Sequence, residues 1–245
     1  MKTNFGQTMK NIVITGTSRG IGYELVKQLS MNKEHTIFAL SRNVNQLNEL
    51  VKSCKQLSSS SNVIPIAFDL SDDVSLKEGV KQILAHVSSV DILVNNAGAI
   101  LNKPFLEIQR AELEYVYNVN VFSVMRLIQE LLPLMVGQER SHIINIGSIG
   151  GVQGSVKFSG LSGYSSSKAA LVCITECLAE ELKGKNISIN CLALGAVQTE
   201  MLEEAFPGYK APLTATEMAS FIADFCLKAH HFMNGKILPI SISTP

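Results

Sequence analysis

The chain predicts one α/β domain, a doubly wound parallel sheet of seven strands with helices on both faces. Three observations lead there. Short apolar runs rich in β-branched residues alternate with longer helix-periodic stretches, the pattern of a parallel sheet covered on both sides. The 245 residues, 46% of them hydrophobic, can bury one large core and are too few for two. A glycine-rich segment directly follows the first apolar run, as at a strand-to-helix turn. The expected division is an extension over residues 1–10 and a single domain over 11–245.

The seven runs read as strands are Asn11–Thr15, Thr36–Ser41, Val63–Phe68, Val90–Asn95, His142–Gly147, Ile187–Leu194 and Lys236–Ile240. Helices fill the gaps. Ser71-Asp72-Asp73 offers an N-cap followed by an acid in the first turn, and Gly184 between two lysines marks a helix stop after Leu182. Arg110 to Met135 reads as one long helix closed by Pro133 and Gly137, and Tyr164 to Lys183 as the next. Ser58–Ser61 reads as a surface turn, and Gly147–Gly163 as a flexible loop beside a site.

Charge and cysteine usage narrow the partner. The 21 basic and 21 acidic residues cancel and form no blocks, which argues against nucleic acid or an anionic membrane surface and for a neutral small molecule. No apolar run approaches ~18–20 residues, and the N-terminus lacks a signal-like apolar stretch, so a cytoplasmic location is expected. Cys54, Cys173, Cys177, Cys191 and Cys226 are odd in number and scattered; they read as reduced core thiols, with no metal site.

The segment Thr15-Gly16-Thr17-Ser18-Arg19-Gly20-Ile21-Gly22 brings bare backbone amides to a helix start near Gly20. Unpaired N–H groups and the positive end of the helix dipole favour a pyrophosphate there, and glycine removes the Cβ that would block approach. No Gly-Lys-Ser/Thr follows, which disfavours a nucleotide triphosphatase loop. Ser41-Arg42 ends the second strand, where a carboxylate would repel a 2′-phosphate and an arginine attracts one. Arg19 can supply a second guanidinium to the same phosphate, so the pair favours NADP(H) over NAD(H).

Tyr164 and Lys168 lie four residues apart at a helix start, so both side chains emerge on one face. A free phenol titrates near about 10, so trading its proton at neutral pH needs about 3–4 kcal/mol in favour of the phenolate. A nearby ammonium is expected to supply it.

Thr-Gly-x-x-x-Gly-Ile-Gly at 15–22, Asn-Asn-Ala-Gly at 95–98, Ser148 and Tyr164-x-x-x-Lys168 together resemble the short-chain dehydrogenase/reductase family, in order and separation, from about Asn11 to Ile240. The resemblance implies a Rossmann-type sheet and a nicotinamide cofactor held by Gly16, Ser18, Arg19, Gly20, Ile21, Gly22 and Arg42. It also implies that Lys168 holds the cofactor ribose and that Ser148 donates to the substrate carbonyl beside Tyr164. Asn120 corresponds to the family's asparagine that orders a relay water at Lys168, with Asn118 its rival. Asn95, Ala97 and Gly98 would pack on the adenosine ribose. Asp69 with Leu70 would sit by the adenine, a helix-capping role for Asp69 being the alternative. Val197 and Thr199, in Gly195–Thr199, would bind the nicotinamide carboxamide. Relatives pair their two long helices into a homodimer or homotetramer, here the helices at 110–135 and 164–183.

The chain departs from the family pattern in four places. Leu194 replaces the usual proline before Gly195, and the Ser148–Tyr164 loop, with Lys157 and Phe158, is about three residues longer than is common in the family. The segment around Phe206, Pro207, Gly208 and Tyr209 resembles a shortened substrate lid. The C-terminus, Ile240–Pro245, lacks the frequent acid-Gly-Gly ending. The leading expectation is an NADP(H)-dependent carbonyl reductase or alcohol dehydrogenase. The alternative is a non-catalytic NADP(H)-sensing or scaffold protein, which has no need of a proton donor; methyl transfer on the same fold is disfavoured by Arg42.

Overall fold

The computed structural model describes residues 9–137 and 140–242. The expected N-terminal extension therefore falls, up to residue 8, outside the described residues, as do the last three residues of the C-terminus. The strands are β1 (Lys10–Thr15), β2 (His35–Ser41), β3 (Asn62–Ala67), β4 (Ile92–Asn95), β5 (Ser141–Ser148), β6 (Ile187–Leu194), β7 (Val197–Gln198), β8 (Leu213–Thr214) and β9 (Ile237–Ile240). The helices are α1 (Gly20–Ser30), α2 (Val44–Leu57), α3 (Asp73–Leu84), α4 (Arg110–Tyr117), α5 (Ser123–Met135), α6 (Ser162–Glu181), α7 (Glu200–Ala205) and α8 (Ala215–Lys228).

All seven expected strands are present, in the parallel order β3-β2-β1-β4-β5-β6-β9. Both edge strands carry a proline, Pro65 and Pro239, where a missing N–H disturbs the ladder least. Period-2 alternation splits the core. Ile12, Ile14, Ile37 and Ile144 pack under α1, α2 and α8, whereas Val13, Phe38, Leu93 and Ile143 pack under α3, α5 and α6. Each fully buried large aliphatic contributes about 1.5–3 kcal/mol, so burial on the two faces dominates over helix propensity in fixing the layers.

The chain winds outward from β1 to β3, then crosses back to β4 on β1's other side. That reversal opens a crevice at the carboxyl ends of β1 and β4, because the helices after them diverge to opposite faces. The unforeseen pair β7–β8 is a separate two-stranded sheet closing the base of the excursion that carries α7.

The helix expected over 110–135 is interrupted. One wide π-type turn, Asn118–Phe122, separates α4 from α5, with the Ser123 backbone N–H and Oγ both donating to the Asn118 carbonyl. Pro133 does not close α5, which runs on to Met135. A proline two residues from a helix end forfeits one hydrogen bond, and here its ring faces solvent. Asp72 caps α3 by accepting from Ser75 N at 2.7 Å, with Asp73 in the first turn, as expected. The core assignment of the cysteines holds for Cys54, Cys191 and Cys226 but not for Cys173 and Cys177, which lie exposed on α6. Among the described residues, no helix is long and apolar enough to cross a membrane.

Candidate active site

At the switch point, the turn after β1 and the loop after β4 are stitched together. Thr15 Oγ1 accepts from Asn96 N at 3.0 Å and Ala97 N at 2.9 Å, while Asn96 Nδ2 donates to the carbonyls of Thr15 and Gly16, each at 3.0 Å. The backbones approach so closely that a Cβ on Gly16, itself at φ +70, would lie 2.7 Å from Ala97 Cα. Gly22 does not reach the cleft wall. It lets α1 close on the turn, and a Cβ there would meet Gly16 O at 2.3 Å and Asn96 Nδ2 at 2.5 Å. Gly22→Ala is therefore expected to lower stability by about 1–3 kcal/mol and to weaken dinucleotide binding, read by thermal unfolding and NADPH titration.

Gly16, Ser18, Arg19, Gly20 and Ile21 line one end of a cleft of about 490 Å³. Among the described residues, no side chain caps α1, and its first turn holds no carboxylate, so its leading amides face the cleft. Ser41, Arg42, Asp69 and Leu70 continue the wall, with Ala97 and Gly98 opposite. Burial alone would raise the Asp69 carboxyl; hydrogen bonds from Ser71 Oγ (2.7 Å) and N (2.9 Å), with Arg42 nearby, hold it below its ordinary value. Two expectations change here. Arg19 is engaged by Glu204 of α7. The Asn95 side chain, 2% exposed, turns into the sheet and donates to Asn145 Oδ1 at 2.8 Å, Asn145 in turn donating to Thr175 of α6; its neighbour Asn96 lines the cleft.

At the other end, β5 delivers Ser148 and the start of α6 delivers Tyr164 and Lys168, all on the cleft wall. The Ser148 hydroxyl lies beside the Tyr164 phenol, near enough to act on its pKa, and accepts from Gly150 N at 3.3 Å. Lys168 is 4% exposed; its Nζ donates to Ile146 O at 2.8 Å and lies 5.9 Å from the Tyr164 ring centre. Burial lowers the Lys168 pKa to about 8, Cys191 opposing the shift. The lysine was expected to lower the phenol pKa. Within the chain itself the phenol pKa is instead raised, because burial outweighs the Ser148 hydrogen bond.

The wide turn 118–122 sends the two asparagines to different places. Asn118 Nδ2 donates to Ser71 O at 3.0 Å, toward the Asp69 side. Asn120, fully buried behind the wall, accepts from Ala99 N and donates to Ala99 O, each at 2.8 Å, and donates to Ser167 Oγ at 2.9 Å. A Cβ on Gly98 would lie 3.4 Å from both Asn120 Oδ1 and Lys168 Nζ, so those two groups converge there.

The 195–199 loop adds Val197 and Thr199 to the wall. Thr199 Oγ1 caps α7 by accepting from Leu202 N at 3.2 Å, leaving its proton free to donate. Leu194, in place of the family's proline, pairs with Ile240, and Gly195 N donates to Ile240 O at 2.8 Å, so the β6–β9 ladder sets the backbone there. In the longer loop, Phe158 lines the cleft while Lys157 Nζ turns back to Val152 O at 2.6 Å. Ile100, Tyr115, Leu161, Met201, Phe206 and Tyr209 make this mouth largely apolar. Thr15 and Asn96 were missed from sequence; a strand-ending threonine opposite an Asn-Ala-Gly turn was the available signal.

A family model described as short chain dehydrogenase matches residues 10–210. Ketoacyl reductase HetN of Nostoc sp. is 33% identical over 195 residues, 79% of this chain and 66% of that protein. The 3-oxoacyl-(acyl-carrier-protein) reductase FabG of Thermotoga maritima is 31% identical over 195 residues, 80% of this chain and 77% of that one. L-sorbose reductase of Gluconobacter frateurii, solved with NADPH and L-sorbose, matches with a TM-score of 0.87 and 25% identity over 99% of this chain and 98% of its own. The family match runs from β1 through α7 and so spans every element that walls the crevice; the chain belongs to the short-chain dehydrogenase/reductase family of oxidoreductases.

Proposed function

We propose that the protein moves a hydride between NADP(H) and a carbonyl/alcohol pair, with Tyr164 as the general acid and base. One observation carries this reading: Ser148, Tyr164 and buried Lys168 share a cleft with a helix start that has no side-chain cap and no acid in its own first turn. Amides at Ser18–Ile21 fit a pyrophosphate, while the Gly16 amide donates to Leu40 O at 2.9 Å and Gly16 lines the cleft beside them. Asp69 and Leu70 would hold the adenine, Ala97 and Gly98 the ribose, Val197 and Thr199 the carboxamide, and Arg42 a 2′-phosphate. When bound, the nicotinamide supplies or accepts the hydride.

The chain's own groups handle the proton. Burial keeps the Tyr164 phenol protonated at neutral pH, the form that donates to a carbonyl oxygen as it gains charge. The Ser148 hydroxyl donates to that same oxygen. As the phenol gives up its proton, the Lys168 ammonium beside it offsets the new negative charge. The apolar mouth favours a carbonyl compound with an apolar body. A homodimer or homotetramer belongs to the same reading, supported by Tyr115, Phe122 and Met125 exposed along α4, the wide turn and α5, as does a cytoplasmic location.

The cofactor assignment is tested with Ser41→Asp combined with Arg42→Ala. The double variant is expected to lose at least about tenfold more affinity for NADPH than for NADH, the worth of one charge-assisted hydrogen bond. Fluorescence titration that finds the ratio unchanged refutes the assignment. NADPH consumption across a carbonyl panel tests turnover, and stoichiometric binding without consumption of any member favours the sensor alternative.

A further inference from the structure

Arg19 does not stand free at the glycine turn. Its two terminal nitrogens pair with both carboxylate oxygens of Glu204, Nη2 to Oε2 at 3.1 Å. Glu204 sits near the end of α7, whose Met201, Leu202 and following Phe206 wall the cleft. Glu200, one turn earlier, also leans on the turn: a Cβ on Gly20 would lie 3.6 Å from Glu200 Oε2. The Glu204 hydrogen bond, with the charges of Glu204 and Glu200, raises the Arg19 pKa. The residue next to Glu204 is tied to another loop, Asn102 Nδ2 donating to Ala205 O at 2.8 Å. The Arg19–Glu204 pair therefore fastens α7 to the phosphate turn.

We propose that Glu204 sets the discrimination between dinucleotides with and without a 2′-phosphate, by competing with that phosphate for Arg19. The inference rests on the NADP(H) reading above. A guanidinium fork gives its paired donors to one anion at a time. A dinucleotide lacking the 2′-phosphate leaves Arg19 with Glu204 and α7 fastened. A 2′-phosphate, carrying more charge and three acceptor oxygens, takes the fork, and α7 is released as it binds. Glu204 is thus a positioning residue: it weakens the grip on NADP(H), and it makes the state of α7 depend on which dinucleotide is present.

The test compares Glu204→Gln, Glu204→Asp and Arg19→Ala by fluorescence titration with NADPH and NADH, with amide exchange followed over residues 200–206. The Arg19 and Glu204 side chains are 42% and 62% exposed, so the variants keep their core. Glu204→Gln is expected to tighten NADPH relative to NADH by about two- to fivefold, the worth of an exposed ion pair. Its α7 exchange without ligand should match that of the unaltered protein with NADPH, and no longer respond to NADPH. Glu204→Asp, which keeps the charge, should behave more like the unaltered protein, and NADH should leave α7 exchange unchanged. An unchanged NADPH/NADH ratio in Glu204→Gln, with Arg19→Ala lowering that ratio, overturns the competition while leaving the NADP(H) reading intact. If Arg19→Ala leaves the ratio unchanged as well, Arg19 does not meet the 2′-phosphate and the inference falls, while the NADP(H) reading is decided by the Arg42 variant.

Discussion

Tyr164→Phe is expected to cut carbonyl reduction by about 10²–10⁴-fold, the usual contribution of a positioned proton donor, while NADPH binding is unchanged. The substitution removes a hydroxyl and keeps the ring, so the wall of the cleft retains its shape. It also removes the partner of the Ser148 hydroxyl, which then has the substrate oxygen to itself. Ser148 cannot stand in as the acid, since a serine hydroxyl in ordinary surroundings does not give up its proton near neutrality. Lys168 is a poor substitute, because its Nζ is held at Ile146 O. Stopped-flow or steady-state NADPH consumption with the best carbonyl of a panel reads the effect. Turnover within a few-fold of the unaltered protein would remove Tyr164 from the mechanism, and a matching loss of NADPH affinity would mean that the phenol acts in binding instead.

The strands were legible because each is a contiguous apolar run whose pairing follows from chain order, and the observed ends fall within two residues of those expected. That Tyr164 and Lys168 share one cleft was legible because they lie on one helix face, where spacing alone brings them together. What spacing could not reveal was parity, distance and balance. Asn95 ends β4 and Asn96 follows it, and only the register decides that Asn95 faces Asn145 and α6 while Asn96 turns to the glycine loop. Glu204 is 185 residues from Arg19, and nothing local announces that they meet. The wide turn at 118–122 contains neither glycine nor proline, so no helix breaker in the sequence announces it. The direction of the Tyr164 shift depends on how burial weighs against a hydrogen bond, and that balance exists only once the cleft has closed around the phenol.

Acid should destabilise the protein well before its carboxylates are titrated, and the buried histidines His142, at the amino end of β5, and His230 are the cause. Its ring is fully buried, with Phe225 and His230 at 5.5 and 5.4 Å between ring centres. Nδ1 donates to Cys226 O at 3.1 Å and Nε2 accepts from Asn190 Nδ2 at 3.0 Å, which satisfies the neutral ring completely. Asn190 cannot turn its amide to help, because its Oδ1 accepts from Lys236 N at 3.0 Å and its Nδ2 also donates to Met233 O at 3.2 Å. A second proton on the ring would thus point at a donor. Burial lowers the pKa to about 3, with the nearby His230 and His231 acting in the same direction. His230 is lowered to about 4, again by burial first, with His231, Lys10 and Arg140 adding to it. Both native values lie below that of an unfolded histidine, near about 6.5. The unfolded chain therefore takes up protons first, and stability falls as pH drops from about 6.5 toward about 3. At about pH 5 the loss from His142 alone is about 2 kcal/mol. Urea unfolding at about pH 7.5 and about pH 5 should show at least that difference, His230 adding to it, and a midpoint independent of pH over that interval would contradict it. Asn190→Asp lowers stability at neutral pH but gives the protonated ring an acceptor, so the acid-induced loss should shrink in that variant. An undiminished loss would move the origin of the acid sensitivity away from His142.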